Sequence, residues 1–490
     1  MVMTPKPLSE TASLNIEFYR KAAKALLKAA RAGDRDANGR LKAAGTAGEP
    51  HVLNVAQLAI AREQGFASWP RFTAFITESN LDFQALVTRF IDAATSDLRR
   101  ARDLLADHPE LRNAGFYTAL VLGEWQRVAA AIEADPELAT RKSGPDQVEP
   151  LVYACFSRFG HHRAREAADL ALTVRLLLRH GADPNTTFAS EHGPLSCLYA
   201  ACGLLGNVEM TRLLLEAGAD PNDGESLYHA TEQPDLTGLK LLLDHGARVT
   251  GSNAIKHILD WENPGGLRLL LEAGGDPNET NPQGDTALHW AVRRGRSARI
   301  VEMLLDHGAD IDAVRKDGRT AYAVAIVSGQ ADVAGLLSAR GADTRLSAID
   351  AFVAGQGGEV PRESAMSKEN ARLLTHLAES GNLAGVEALL KAGVPVDARG
   401  DGGITALHYA CWRGNAPLIK LLLAHGAPLD VADNMYKATP GGYLHHGATN
   451  CGEGDYAESA RLLIGAGVRE WSKPSGNPQM DEVLRENGII

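Results

Sequence analysis

The sequence predicts an all-α fold in which short antiparallel helix pairs, joined by β-hairpin-like loops, stack into a solenoid. Three observations predict it. A Leu-rich phrase returns along the chain, as VRLLLRHGADPN from Val174, TRLLLEAGADPN from Thr211, LRLLLEAGGDPN from Leu267 and VEMLLDHGADID from Val301. Its marker glycines keep step: Gly274, Gly308 and Gly341 stand 34 and 33 residues apart, and Gly393 and Gly426 again 33, a period that signals stacked repeats. Aromatic residues make up only 6% of the 490 residues while Ala, Leu and Gly recur throughout, which suits close helix packing better than a sheet.

Taken in order, residues 1–12 read as a disordered tail and 13–79 as a helical module that does not share the repeat. SLNIEFYRKAAKALLKAARAGD predicts one amphipathic helix with Arg20, Lys21, Lys24, Lys28 and Arg31 outside and Leu14, Phe18, Leu26 and Leu27 inside. VAQLAIAREQ and SWPRFTAFIT predict a second helix pair, with Ser68 as N-cap and Pro70 tolerated in the first turn. Residues 81–346 form a first block of repeats whose first two or three are degenerate, because Pro109 and Pro136 end helices where glycine does so elsewhere. From Gly341 to Gly393 the spacing stretches to 52, so 347–372 reads as a degenerate repeat or hinge. A second block covers 373–470, and 471–490 supplies a polar cap for the open end of the stack.

Each unit has parts with a physical purpose. In ARIVEMLLDHG, Ile300, Val301, Leu304 and Leu305 lie on one helical stripe, and Gly308 ends the helix. A second phrase precedes the Leu-rich one, as GDTALHWAVRRG, GRTAYAVAIVSG and GITALHYACWRG; Thr286 and Thr405 stand where a cap is wanted, and Gly295 and Gly414 where the helix must stop. One such unit cannot bury its own stripe. Neighbours must lean on each other.

The two phrases together resemble the ankyrin repeat. The segment AREQGFASWPRF resembles a module found ahead of such repeats in bacterial proteins, and KATPGGYLHHGATNCGEGDYAESARLLIGAG is similar to a variant closing repeat of the same bacterial type, with Gly442 and Tyr443 where the variant has Gly and Trp. The resemblance implies that His289 and His408 bond between repeats with their threonines. It also implies a concave groove lined by hairpin tips and first-helix ends, which points to Pro282, Gln283, Asp285, Arg293, Arg294, Lys316, Asp317, Arg319, Ile404, Trp412 and Arg413 as partner-binding residues. Trp and Arg are frequent hot-spot types, and a basic groove would suit a partner with an acidic surface.

Composition bounds the alternatives. A net charge of −11 argues against nucleic acid and anionic membranes as partners, and no stretch approaches the ~18 apolar residues of a membrane span. Five cysteines without a framework of spacings fit a reduced cytoplasm. The expectation is therefore a cytoplasmic, bacterial, monomeric scaffold that binds an unknown protein partner and is not an enzyme, with no cofactor and no metal. Two alternatives stay open: an enzyme or metal-binding protein using the His445/His446/Cys451 loop, and a secreted, host-directed effector. Against the first, no zinc-type ligand spacing and no P-loop, nucleophile-elbow or HExxH motif occurs.

Overall fold

The Leu-rich phrase folds as a helix that ends where its residues dictate. Helix Ala298–Asp306 buries Ile300, Val301 and Leu304 and leaves Glu302 and Asp306 exposed. His307 then turns its Nδ1 to the carbonyl of Met303 at 2.8 Å, and Gly308 adopts a φ of +86°, which a side chain would resist. His180, His245 and His425 repeat the contact on Leu176, Leu241 and Leu421. They are helix-end residues.

The computed structural model describes residues 15–45, 52–79, 81–161, 163–190, 193–357, 360, 365, 367–451 and 454–490. The tail expected at 1–12 lies outside these, as do residues 358, 359, 361–364 and 366 of the segment 347–372. The chain divides into two units, Met1–Ala247 and Arg248–Ile490.

The first unit opens with helices Ile16–Arg31, Arg35–Ala43, Leu53–Glu63 and Trp69–Ser79. Phe72, fully buried, sits 4.7 Å from the Tyr19 ring and 5.2 Å from Phe66. Phe18, expected inside, is 58% exposed, and Tyr19 takes the inward position. The two residues are neighbours at the edge of the apolar stripe, and packing against Phe72 selects between them. Helix pairs follow, Phe83–Ser96 with Leu98–Asp107 and Phe116–Leu122 with Trp125–Ala134, then Ala164–Arg179, Val208–Glu216 and Thr237–Asp244. A two-stranded antiparallel hairpin pairs Thr187–Ser190 with Gly193–Ser196, Phe188 opposite Leu195.

The second unit is a stack of helix pairs: Ala254–Ile258 with Pro264–Glu272, Ala287–Arg293 with Ala298–Asp306, Ala321–Val327 with Ala331–Ala339, and Ala406–Trp412 with Ala416–Ala424, closed by Pro440–Asn450, Tyr456–Gly465 and Pro478–Glu486. The long interval contains helices Ala348–Val353, Lys368–Glu379 and Leu383–Lys391. Register is kept across it, because Asn382 Nδ2 donates to the carbonyl of Val327 at 2.9 Å just as Gln330 Nε2 donates to that of Val292 at 2.6 Å.

The asparagine of the recurring DPN phrase joins one repeat to the next. Asn278 Nδ2 donates to the Gly308 carbonyl at 2.9 Å and its Oδ1 accepts from Asp310 N–H at 2.7 Å; Asn185 bonds in the same way with Gly218 and Asp220. We expect Asn278→Ala to destabilise the second unit by about 1–2 kcal/mol, since two backbone groups lose their partner. Urea denaturation followed through Trp290 checks this, and an unchanged midpoint would remove the asparagine from the inter-repeat joint.

Candidate functional site

The TALH phrase builds the frame on which surface residues stand. Thr286 caps its helix, and His289 answers it: the ring Nδ1 accepts from Thr286 N–H at 3.3 Å, which leaves Nε2 protonated to donate to the carbonyl of Arg319 at 3.2 Å in the next repeat. Thr405 and His408 copy the arrangement, with Nε2 reaching the Ala438 carbonyl at 3.2 Å. Both rings must stay neutral to do this. Burial pushes His289 down to about 4, the Asp285 charge opposing and Arg315 reinforcing, and burial lowers His408 as well.

Around this frame runs a ladder of internal ion pairs. Asp285, fully buried, lies 2.8 Å from Arg293 and 3.1 Å from Arg315; Arg315 meets Asp317 at 3.4 Å; Arg319 meets Asp317 at 3.3 Å and Asp350 at 2.8 Å and donates to Asn370 Oδ1 at 2.9 Å. Glu379 reaches back 3.3 Å from Arg293 and 3.1 Å from Arg294, and Arg294 also pairs with Asp260 at 2.8 Å. Both guanidiniums lie over the Trp290 ring, 5.3 and 4.8 Å from its centre. Burial alone would raise the Glu379 carboxyl, but His376, Arg293 and Arg294 hold it at about 2. Five carboxylates thus answer four arginines, and this part of the face presents no surplus of positive charge.

The eleven residues singled out by sequence fall into three groups. Asp285, Arg293, Arg294, Asp317 and Arg319 belong to the ladder, Asp285 and Arg319 out of reach of solvent. Pro282, Gln283 and Lys316 lie at adjoining hairpin tips, where Lys316 N–H donates to the Gln283 carbonyl at 3.1 Å; Pro282 and Lys316 are exposed. Trp412 is half-buried and Arg413 exposed, whereas Ile404 is buried.

Trp412 stands at a cleft of about 390 Å³ lined by Tyr436, Ala438, Gly442, Tyr443 and His446. His446 packs on the Trp412 ring at 5.4 Å and Tyr443 on the His408 ring at 4.9 Å. Glycine makes the cleft possible, because a methyl group at Gly447 would collide with the Trp412 carbonyl and force the two helices apart. One wall is the loop 433–438, held by a single carboxylate: Asp433 accepts from the N–H groups of Met435 at 2.6 Å, Tyr436 at 2.7 Å and Ala438 at 2.9 Å. Against the pull of burial, these donors keep the Asp433 carboxyl below its ordinary range. Met435 and Tyr436 consequently point a fixed pair of apolar groups outward, 63% and 71% exposed. Sequence reasoning missed Tyr436, gave Tyr443 only a place in the closing-repeat phrase, and gave His446 only the metal or enzyme alternative. The available signal was an aromatic, MYK, where other repeats carry a charged DG-type turn.

The segment expected as a loop is helical: His445 and His446 lie on helix Pro440–Asn450 and Cys451 at its C-terminal cap. His445 Nε2 contacts the carbonyl of Lys473 at 3.1 Å, and among the described residues no three His, Cys, Asp or Glu side chains gather as a metal site would require.

Comparison with known proteins agrees with the architecture. Models for ankyrin repeats match residues 195–225, 258–348 and 374–438. The chain is 35% identical over 156 residues to ankyrin repeat and KH domain-containing protein mask-1 of Caenorhabditis elegans, covering 32% of this chain and 5% of that protein. It is 33% identical over 171 residues to the B-cell lymphoma 3 protein homolog of Mus musculus, covering 34% of each. It thus spans about a third or less of the length of these relatives. Among solved structures, the human ASB11 ankyrin repeat domain is similar at 18% identity with a TM-score of 0.36, over 47% of this chain and 99% of that one. None of these three is bacterial.

Proposed function

We propose, from the ankyrin repeats this chain carries, that it is a binding scaffold and that residues 404–446 hold a partner protein through the Trp412–Tyr443 cleft and the Met435–Tyr436 loop. The observation that carries this reading is the pair of exposed apolar side chains on a loop pinned by Asp433 beside an aromatic cleft. Isolated exposed apolar residues are ordinary, whereas a rigid aromatic patch over a hollow is the form an interface hot spot takes. A protruding apolar or aromatic side chain of the partner would fill the cleft, and the exposed Arg413, next to Trp412, would face an acidic group beside it. Arg293, Arg294 and Arg319 contribute by holding the repeats together. We place this activity in the cytoplasm of the source cell, in keeping with four buried, unpaired cysteines, and no helix among the described residues is long and apolar enough to cross a membrane.

Affinity capture from the source lysate tests the reading, with wild type set beside Trp412→Ala plus Tyr436→Ala. Hot-spot truncation costs about 2 kcal/mol or more per residue, roughly 30-fold in affinity, so the double variant should lose partners that wild type and Lys240→Ala retain. Equal recovery by all three would end the proposal. Arg293→Glu is a poor probe of the groove, because it would break the ladder rather than a contact.

A further inference from the structure

Three arginines line a second hollow, in the first unit, that nothing above uses. Its volume is about 740 Å³, and Arg99, Arg102, Arg158 and His161 border it together with Asp97 and Asp103. Two carboxylates stand against three guanidiniums, so the lining keeps a net positive charge, and one of the two carboxylates is paired with an arginine outside the hollow. Asp97 accepts from Arg100 N–H at 3.0 Å as the cap of helix Leu98–Asp107, and Asp103 is held by Arg71 at 3.2 Å. Arg102 has a distant partner, Glu166 at 3.5 Å. Arg99 and Arg158 have no carboxylate partner among the described residues.

Arg158 is the more telling of the two. It sits on the short turn Arg158–Gly160, which is anchored by Ser157 Oγ donating to the Val121 carbonyl at 2.5 Å and by Phe159 against Phe90. Its Nε donates to the carbonyl of Thr95 at 3.2 Å, at the end of helix Phe83–Ser96, so one edge of the guanidinium is fixed while the residue borders the hollow. Burial pushes its pKa down without a carboxylate to push back. A half-buried cation in this state is stabilised by any anion that enters. Leu98 and Arg99, in the first turn of the ten-residue helix, border the same region, at the positive end of its dipole.

We propose that this hollow binds a phosphoryl group, with Arg158 and Arg99 as principal donors and Arg102 as a third once it turns from Glu166. Phosphate suits the site better than a carboxylate because several guanidinium forks can share its oxygens. Such a group could arrive on a phosphorylated side chain of a protein or on a small phosphorylated compound; the chemistry recognised is the same.

The test is isothermal titration calorimetry of the full chain with inorganic phosphate, with a phosphoserine peptide and with its unphosphorylated twin, at matched ionic strength in chloride. Saturable binding of phosphate is expected, weakened at least tenfold by Arg99→Gln and by Arg158→Gln and unchanged by Arg165→Gln, a control at an exposed arginine outside the hollow. Asp97→Asn keeps a good cap and removes a repelling charge, so it should tighten binding severalfold, an outcome that a misfolded variant cannot mimic. A phosphopeptide binding more tightly than inorganic phosphate assigns the source to modified protein; equal binding assigns it to a free compound. No saturable binding above chloride for either phosphate or phosphopeptide, or binding indifferent to Arg99→Gln and Asp97→Asn, overturns the proposal.

Discussion

Asp285→Ala is expected to destabilise residues 248–490 by about 3 kcal/mol, the cost of taking from two buried arginines the carboxylate they share, which leaves each with one weaker partner, Glu379 or Asp317. Asp285 has no solvent contact and bridges Arg293 and Arg315, whose guanidiniums are themselves largely buried. Removing the carboxylate leaves two cations facing each other in a poorly solvated space. The same substitution takes an acceptor from Asn281, which donates to Asp285 at 3.0 Å. Urea denaturation followed by Trp290 fluorescence is the measurement, because Trp290 lies against Arg293 and Arg294. Adding Arg293→Met and Arg315→Met to Asp285→Ala should recover part of the loss, since an apolar replacement of a whole buried network is often neutral. A single variant within 1 kcal/mol of wild type would show that water enters the ladder and screens it.

Acid should unfold the second unit in two stages, and the upper one belongs to histidine. His289 titrates at about 4 in the folded chain against an ordinary 6.5, so between these values the unfolded state binds more protons. The stabilisation is therefore complete above pH 6.5 and is lost as pH falls toward 4, by about 3 kcal/mol for this ring. His408 and His376, also lowered by burial, add loss of the same sign. Glu379, held at about 2 against an ordinary 4.5, stabilises fully above pH 4.5 and ceases to do so as pH falls toward 2. Denaturation midpoints from pH 7.5 to 3.5 should thus fall steadily, and His289→Gln should flatten the stretch between 6.5 and 4 while lowering stability at neutral pH. A midpoint that does not move between pH 7 and 5 would contradict the neutral, inter-repeat role of the ring.

Features that depend on a few consecutive residues were readable before any coordinates. Gly308 ends its helix, His307 caps it and Thr286 starts the preceding one because each acts within four residues along the chain. That His289 bonds into the next repeat was implied by the ankyrin resemblance, whereas its acceptor, the Arg319 carbonyl, is given by the structure. Where the period fails, so does this kind of inference. The pairing of Arg293 with Glu379 crosses the irregular segment 347–372, and no spacing rule joins residues so far apart. Ile404 looked like a groove residue by position in its phrase, yet it is buried beside a loop tied to Gly402 through Asn434 N–H at 2.7 Å. Tyr436 and Tyr443 became part of a site only because Gly447 lets two helices approach closely.

By itself the amino-acid order determined the helix pairs, their caps, the period and hence the stacking, because these follow from apolar phase and local hydrogen bonding. Only the tertiary structure decided which charges face inward, since an arginine at a helix end can serve a partner or its own neighbours with equal local propriety. That choice rests on where a distant carboxylate comes to lie. Here Asp260, Asp285, Asp350 and Glu379 lie within reach of the arginines, and the outward-facing chemistry passes to the aromatic cleft.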